Sequence, residues 1–127
     1  MKTLTILLAL TFSVMFSSTS FAGCTAAFKG NSGDIYYVDF ERIRKHDGYV
    51  YFWVLQDYAK PRDEFLSFTI YLQGDCTLFR FKTLTGSLYR KPMGMGPRET
   101  KNYPNSEWSY PPPNRSTEYI LEHVCSR

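Results

Sequence analysis

The chain has 127 residues, 43% hydrophobic and 17% aromatic, with fifteen Lys and Arg against twelve Asp and Glu and a net charge of +3. So slight a positive excess argues against nucleic acid as a partner, and the length leaves room for one ordinary domain. The two histidines and three cysteines do not fall at metal-ligand spacing with other ligating residues, so no metal and no cofactor is expected.

The first segment reads as a leader. Lys2 supplies a positive n-region, Leu4 to Phe16 an uncharged apolar h-region, and Ser17 to Ser20 a polar stretch before the small residues Ala22 and Gly23. This pattern assigns residues 1–23 to a signal peptide. Its thirteen-residue apolar run is shorter than the roughly 20 residues that cross a hydrocarbon core. Two processing sites overlap. Ser20-Phe21-Ala22 fits an ordinary signal-peptidase cut before Gly23, favoured by the polar spacer. Phe21-Ala22-Gly23-Cys24 resembles a lipobox, which would place a diacylglycerol on Cys24 with about 0.8 kcal/mol of membrane affinity per buried CH₂. Either cut leaves 104 or 105 residues, with fourteen basic against twelve acidic.

Three cysteines remain: Cys24, Cys76 and Cys125. An exported chain can pair two of them. A Cys76–Cys125 bridge with Cys24 lipidated leaves no free thiol; intermolecular pairing through Cys24 is the rival. A membrane is reached only through a lipid on Cys24.

Residues 24–33 are small and polar and read as a flexible N-terminal tether, with 34–127 as the folded domain. Asp34 to Asp39 is a first strand, which Ile43 and Arg44 either extend or follow as the start of a second ribbon, and His46-Asp47-Gly48 is a tight turn. Tyr49 to Asp57 alternates Tyr49, Tyr51, Trp53 and Leu55 against Val50, Phe52 and Val54. Both faces are apolar, which predicts a central strand covered on both sides. Tyr58 to Glu64 reads as a charged loop, Phe65 to Gln73 and Cys76 to Lys82 as strands, Thr85-Gly86 as a turn and Ser87 to Arg90 as a short strand. Pro92 to Pro97 breaks regular pairing and opens a long connection to Pro113, with an edge strand expected around Trp108.

The last segment predicts a helix capped by Asn114 or Ser116, with Glu118 near its N-terminus and Ile120, Leu121, Val124 and Cys125 on one stripe. So short a helix needs a surface to lie on. A bridge from Cys125 to Cys76 would pin it across the sheet, the closed loop of about 48 residues contributing roughly 4 kcal/mol.

Catalytic chemistry finds little support. His46 stands beside Asp47 in a turn, His123 complements the end of the helix, and Met93 and Met95 lack a third soft ligand for copper. No nucleophile elbow, phosphate loop or paired carboxylates occur, and no enzyme is expected. Arg80, Lys82, Tyr89, Arg90 and Lys91 form a basic, aromatic-containing stretch and are the candidate partner-binding patch.

Several spaced residues together resemble the bacterial surface-adhesin protein E family. They include Tyr36-Tyr37-Val38-Asp39, Val50 to Leu55 with Asp57-Tyr58, Ser67 with Tyr71, Asp75-Cys76, Pro92-Met93-Gly94, Trp108-Ser109-Tyr110-Pro111 and Cys125, spanning residues 34–125. The resemblance implies an α+β fold: an antiparallel sheet of about six strands with one C-terminal helix fastened to a face by a Cys76–Cys125 disulfide. It also implies an outer-membrane lipoprotein that binds host matrix and plasma proteins such as vitronectin, laminin and plasminogen. Two functions are therefore expected as alternatives: a surface adhesin anchored through Cys24, or a soluble periplasmic accessory protein binding an envelope component or small ligand.

Overall fold

The computed structural model describes residues 23–127, so the expected leader, apart from Gly23, lies outside the described residues. The described chain forms β1 (Thr25–Lys29), β2 (Ile35–Val38), a 3-10 turn (Phe40–Arg42), β3 (Arg44–His46), β4 (Tyr49–Arg62), β5 (Phe65–Asp75), β6 (Arg80–Lys91), a second 3-10 turn (Pro92–Gly94), β7 (Met95–Asn102) and helix α1 (Ser116–Cys125). The seven strands make one antiparallel sheet in the order β1-β2-β4-β5-β6-β7, with β3 also on β4. β2 pairs with the Val54–Asp57 stretch of β4 and β3 with Tyr49–Tyr51. The two behave as one strand alongside β4, interrupted by the first 3-10 turn.

The aromatic and β-branched run from Tyr49 drives β4 as expected, but the strand continues to Arg62. The residues read as a charged loop are instead its far half. Asp34 explains why: its buried carboxylate accepts hydrogen bonds from the Ala59 amide at 2.8 Å and the Gln56 side-chain amide at 2.8 Å, and it pairs with Arg62. Arg62 also lies 4.4 Å from the Tyr58 ring centroid. Charges that resemble a solvated loop therefore hold the strand end against β2. The hairpin closes at Asp63 and Glu64, both at positive φ (49° and 71°).

The expected tether over 24–33 is corrected in part. Thr25–Lys29 pairs with Ile35–Val38 as the outermost strand, and only the turn through Gly33 (φ 93°) matches the small, polar composition. Cys76–Phe79 is a turn rather than a strand, closed by Asp75 Oδ1, which accepts from the amides of Thr77 (3.0 Å) and Leu78 (3.2 Å). Gly86 is no turn either. It lies within β6, where the absent side chain lets the Phe68 ring pack 3.1 Å from where a Cβ would stand. The edge strand is β7, not a segment around Trp108. It carries Pro97 at the sheet edge, where the missing donor is tolerated.

One face of the sheet carries the core. Val50, Phe52, Val54 and Leu72 meet Ile120, Leu121 and Val124 of α1, all nearly inaccessible. Each such burial contributes about 1.5–3 kcal/mol relative to exposure. The helix is capped differently from expectation: Arg115 occupies the N-cap without a side-chain bond, and Glu118 Oε1 accepts from the Asn114 amide at 3.0 Å. Cys125 is bonded to Cys76, with Cα atoms 5.6 Å apart, fastening the helix across the sheet.

Candidate functional site

The opposite sheet face is only half covered, which corrects the expectation that β4 is buried on both sides. Alternation sends Tyr49, Tyr51 and Trp53 to this face, and the register sets Trp53 opposite Tyr71 on β5. At one end of the face the Pro92–Gly94 turn folds over the sheet. The Met93 amide donates to Asp57 Oδ1 (2.8 Å) and the Gly94 amide to Ser67 Oγ (2.9 Å), while that hydroxyl donates to the Lys91 carbonyl (2.6 Å). Ser67, Thr69 and Tyr89 are buried in this region.

At the other end, among the described residues, Tyr51, Trp53 and Tyr71 stay partly exposed. Trp53 and Tyr71 stack with centroids 4.7 Å apart, Tyr51 continues the row at 6.3 Å from Tyr71, and Tyr49 tilts against Trp108 at 5.4 Å. Two shallow depressions in this floor share Arg44 and Tyr71. Trp108 is held in place because Ser109 exchanges backbone hydrogen bonds with Phe81 at 2.8 and 2.9 Å. Arg80 and Lys82 lie over the Trp108 ring at 4.3 and 4.7 Å. Arg80 Nε donates to Asp75 Oδ2 at 2.9 Å. That bond, with the backbone donors of Leu78 and Thr77, holds the Asp75 carboxyl below its ordinary range. The result is an amphipathic aromatic surface rimmed by cations, the composition that favours contact with other macromolecules.

The residues of the expected basic patch are not brought together. Arg80 and Lys82 join Trp108, but ten residues of extended strand, roughly 33 Å, separate Arg80 from Arg90. Arg90 lies 4.7 Å from the Phe65 centroid and contacts Glu64 and Glu99. Tyr89 is buried, and Lys91 is exposed and contributes its carbonyl to Ser67. Sequence reasoning missed Tyr51, Trp53 and Tyr71 as a surface. The signal was present in the contrast between Tyr-Tyr-Trp on one face of β4 and Val-Phe-Val on the other, since Tyr and Trp keep a polar edge for water.

The remaining candidates are dispersed. His46 Nε2 meets Asp47 Oδ2 at 3.1 Å with both side chains largely in solvent, and His123 stacks on Tyr119 with Nδ1 2.8 Å from the Tyr119 carbonyl. Among the described residues no three His, Cys, Asp or Glu side chains converge as a metal site, and no helix is long and apolar enough to cross a membrane. Cys24 is half-buried immediately before β1. Burial pushes its thiol up to about 11, with Asp39 adding to the rise and Arg42 opposing it.

A family model described as surface-adhesin protein E matches residues 26–126. No curated protein sequence matches the chain significantly. Among solved structures, crystal form II of Haemophilus influenzae protein E is similar with a TM-score of 0.64 at 17% identity, over 85% of this chain and 91% of that one. A second structure of Haemophilus influenzae protein E gives 0.62 at 17% identity, over 85% and 87%. Protein E from non-typeable Haemophilus influenzae gives 0.59 at 17% identity, over 86% and 79%. At this identity the likeness is one of fold.

Proposed function

The chain belongs to the surface-adhesin protein E family, and from that premise we propose that it is a non-catalytic binding module of the bacterial envelope whose partner is a host extracellular-matrix or plasma protein. The observation that carries the reading is the uncovered row of Tyr51, Tyr71 and Trp53, continued by Tyr49 and Trp108 beneath Arg80 and Lys82. Rigid aromatic rings present much area at little entropic cost, and interface energy concentrates on Trp, Tyr and Arg. The sheet beneath supplies rigidity, and the disulfide keeps the helix on the other face. Display at the surface rests on a lipid at Cys24, placed at the first residue before β1.

The test combines location with binding. Intact cells are treated with protease, and purified protein is titrated onto immobilised matrix and plasma proteins alongside Trp53→Ala and Tyr71→Ala. Cleavage on intact cells, with binding that both variants weaken, supports the adhesin. Full protection on intact cells ends the surface claim and favours the periplasmic accessory protein. Binding unchanged in both variants removes the aromatic face from the reading.

A further inference from the structure

Helix α1 does not seal the sheet along its whole length. Beneath its first two turns, between Thr117 and Ile120 above and Val54, Phe68 and Ile70 below, lies a cleft of about 190 Å³. Its floor is apolar except for Gln56, whose side-chain amide donates to Asp34 Oδ2. For comparison, a dry cavity of roughly 150 Å³ lined by Leu, Ile and Phe takes up benzene, so this one has room for an alkyl chain of about six to eight carbons. At the helix start the cleft adjoins a second hollow. Tyr36, Ser116 and Thr117 line both it and a wider, polar hollow of about 530 Å³ that adds Asn31, Ser32 and Arg115.

Among the residues that line that hollow, Arg115 is the one charged side chain. Arg115 is exposed, and among the described residues it forms no ion pair. No carboxylate lines the hollow. Two carboxylates stand just behind it: Glu118 accepts from the Asn114 amide, and Asp34 is held by Ala59, Gln56, Ser32 and the counter-charge of Arg62. An apolar slot of fixed depth opening onto a neutral-to-cationic mouth matches a molecule with a short hydrocarbon tail and an anionic head. We propose that this cleft binds an aliphatic carboxylate of medium chain length, its tail beneath α1 and its head beside Arg115. The site lies on the sheet face opposite the aromatic row and is independent of it.

Octanoate and octanol, both below their aggregation thresholds, serve as probes for calorimetry and for methyl NMR of Ile70, Ile120 and Leu121. Octanoate is expected to bind saturably at one site and shift those methyls, with octanol about tenfold weaker, the size of one charge-assisted hydrogen bond at a wet rim. Arg115→Glu, an exposed change that leaves the core intact, should remove the preference for octanoate. Thr117→Trp, which fills the cleft, should abolish both. The proposal is overturned by the absence of saturable shifts at millimolar octanoate, by shifts confined to residues of the aromatic face, or by an octanoate preference that survives Arg115→Glu.

Discussion

Leu121 sits directly on Gly74: a Cβ built on that glycine would stand 2.9 Å from Leu121 Cδ1, and 2.8 Å from Val50 Cγ2. The helix approaches the sheet this closely because β5 offers no side chain at the contact. Gly74→Ala should therefore force the packed core apart and lower stability by about 1–3 kcal/mol. Equilibrium urea unfolding measures this, and a change below about 0.5 kcal/mol would mean that the seat is not rigid.

Removing the bond between Cys76 and Cys125 should destabilise the fold by roughly 2–4 kcal/mol, since it closes a long loop over a helix too short to persist alone. A Cys76→Ser, Cys125→Ser double variant and the reduced wild type should shift the urea midpoint alike. If reduction leaves the midpoint in place, the core alone holds the helix.

On the open face, Trp53→Ala should cost the partner complex about 2 kcal/mol or more, as central aromatic anchors do, with Tyr71→Ala close behind. Arg90→Ala, at the distant end of β6, should change affinity by less than about 0.5 kcal/mol. Titrations against a matrix protein that binds wild type provide the comparison. Equal losses from Trp53→Ala and Arg90→Ala would relocate the interface.

Acid should weaken the fold through two carboxylates. For Asp34, burial opposes ionisation, but the Ala59 amide, the Gln56 side chain and Arg62 outweigh it and hold the carboxyl below its usual 3.8. Asp75 is lowered in the same sense, chiefly by Arg80. A depressed folded value gives stability that is complete above the unfolded value near 3.8 and is lost as pH falls through the folded one. Stability measured from pH 6 to pH 2 should decline most steeply below about pH 4, and Asp34→Asn should flatten that limb. An unaltered limb in Asp34→Asn would contradict the assignment.

In protein that carries no lipid, the Cys24 thiol should alkylate slowly. With its pKa raised to about 11, roughly one thiol in a thousand is thiolate at pH 8. Iodoacetamide labelling followed by mass analysis should show slow modification when folded and rapid modification in denaturant. Fast labelling of the folded chain would show that burial there is lost in solution.

Much of this architecture was legible in the residues. The alternation through Tyr49–Leu55, the Asp47-Gly48 turn and the apolar stripe of Ile120, Leu121 and Val124 each specify an element locally, and each formed as expected. Elements that depend on distant partners were not legible. The Tyr58–Arg62 half of β4 exists because Asp34, more than twenty residues earlier, accepts from Gln56, Ala59 and Arg62. Gly86 reads as a turn until Phe68 is seen to lie across it. The candidate site suffered most. A basic stretch in sequence runs along a strand that spreads its members over roughly 33 Å, whereas Tyr51 and Tyr71 become neighbours only through register and Trp108 reaches Tyr49 only through the Ser109–Phe81 bridge.

The order of strands in space nearly repeats their order in the chain, so each pairing closes a short connection and the sheet can assemble from local hairpins. Helix α1 alone must return across the finished sheet, from beyond β7 to the face over β4. Cys76 lies in the β5–β6 connection and Cys125 on the returning helix, so their bond joins the meander to the element that crosses it. The native pairing is geometrically possible only once the helix lies on the sheet and brings the two Cα atoms to 5.6 Å, so oxidation locks in the one contact that the local hairpins do not make.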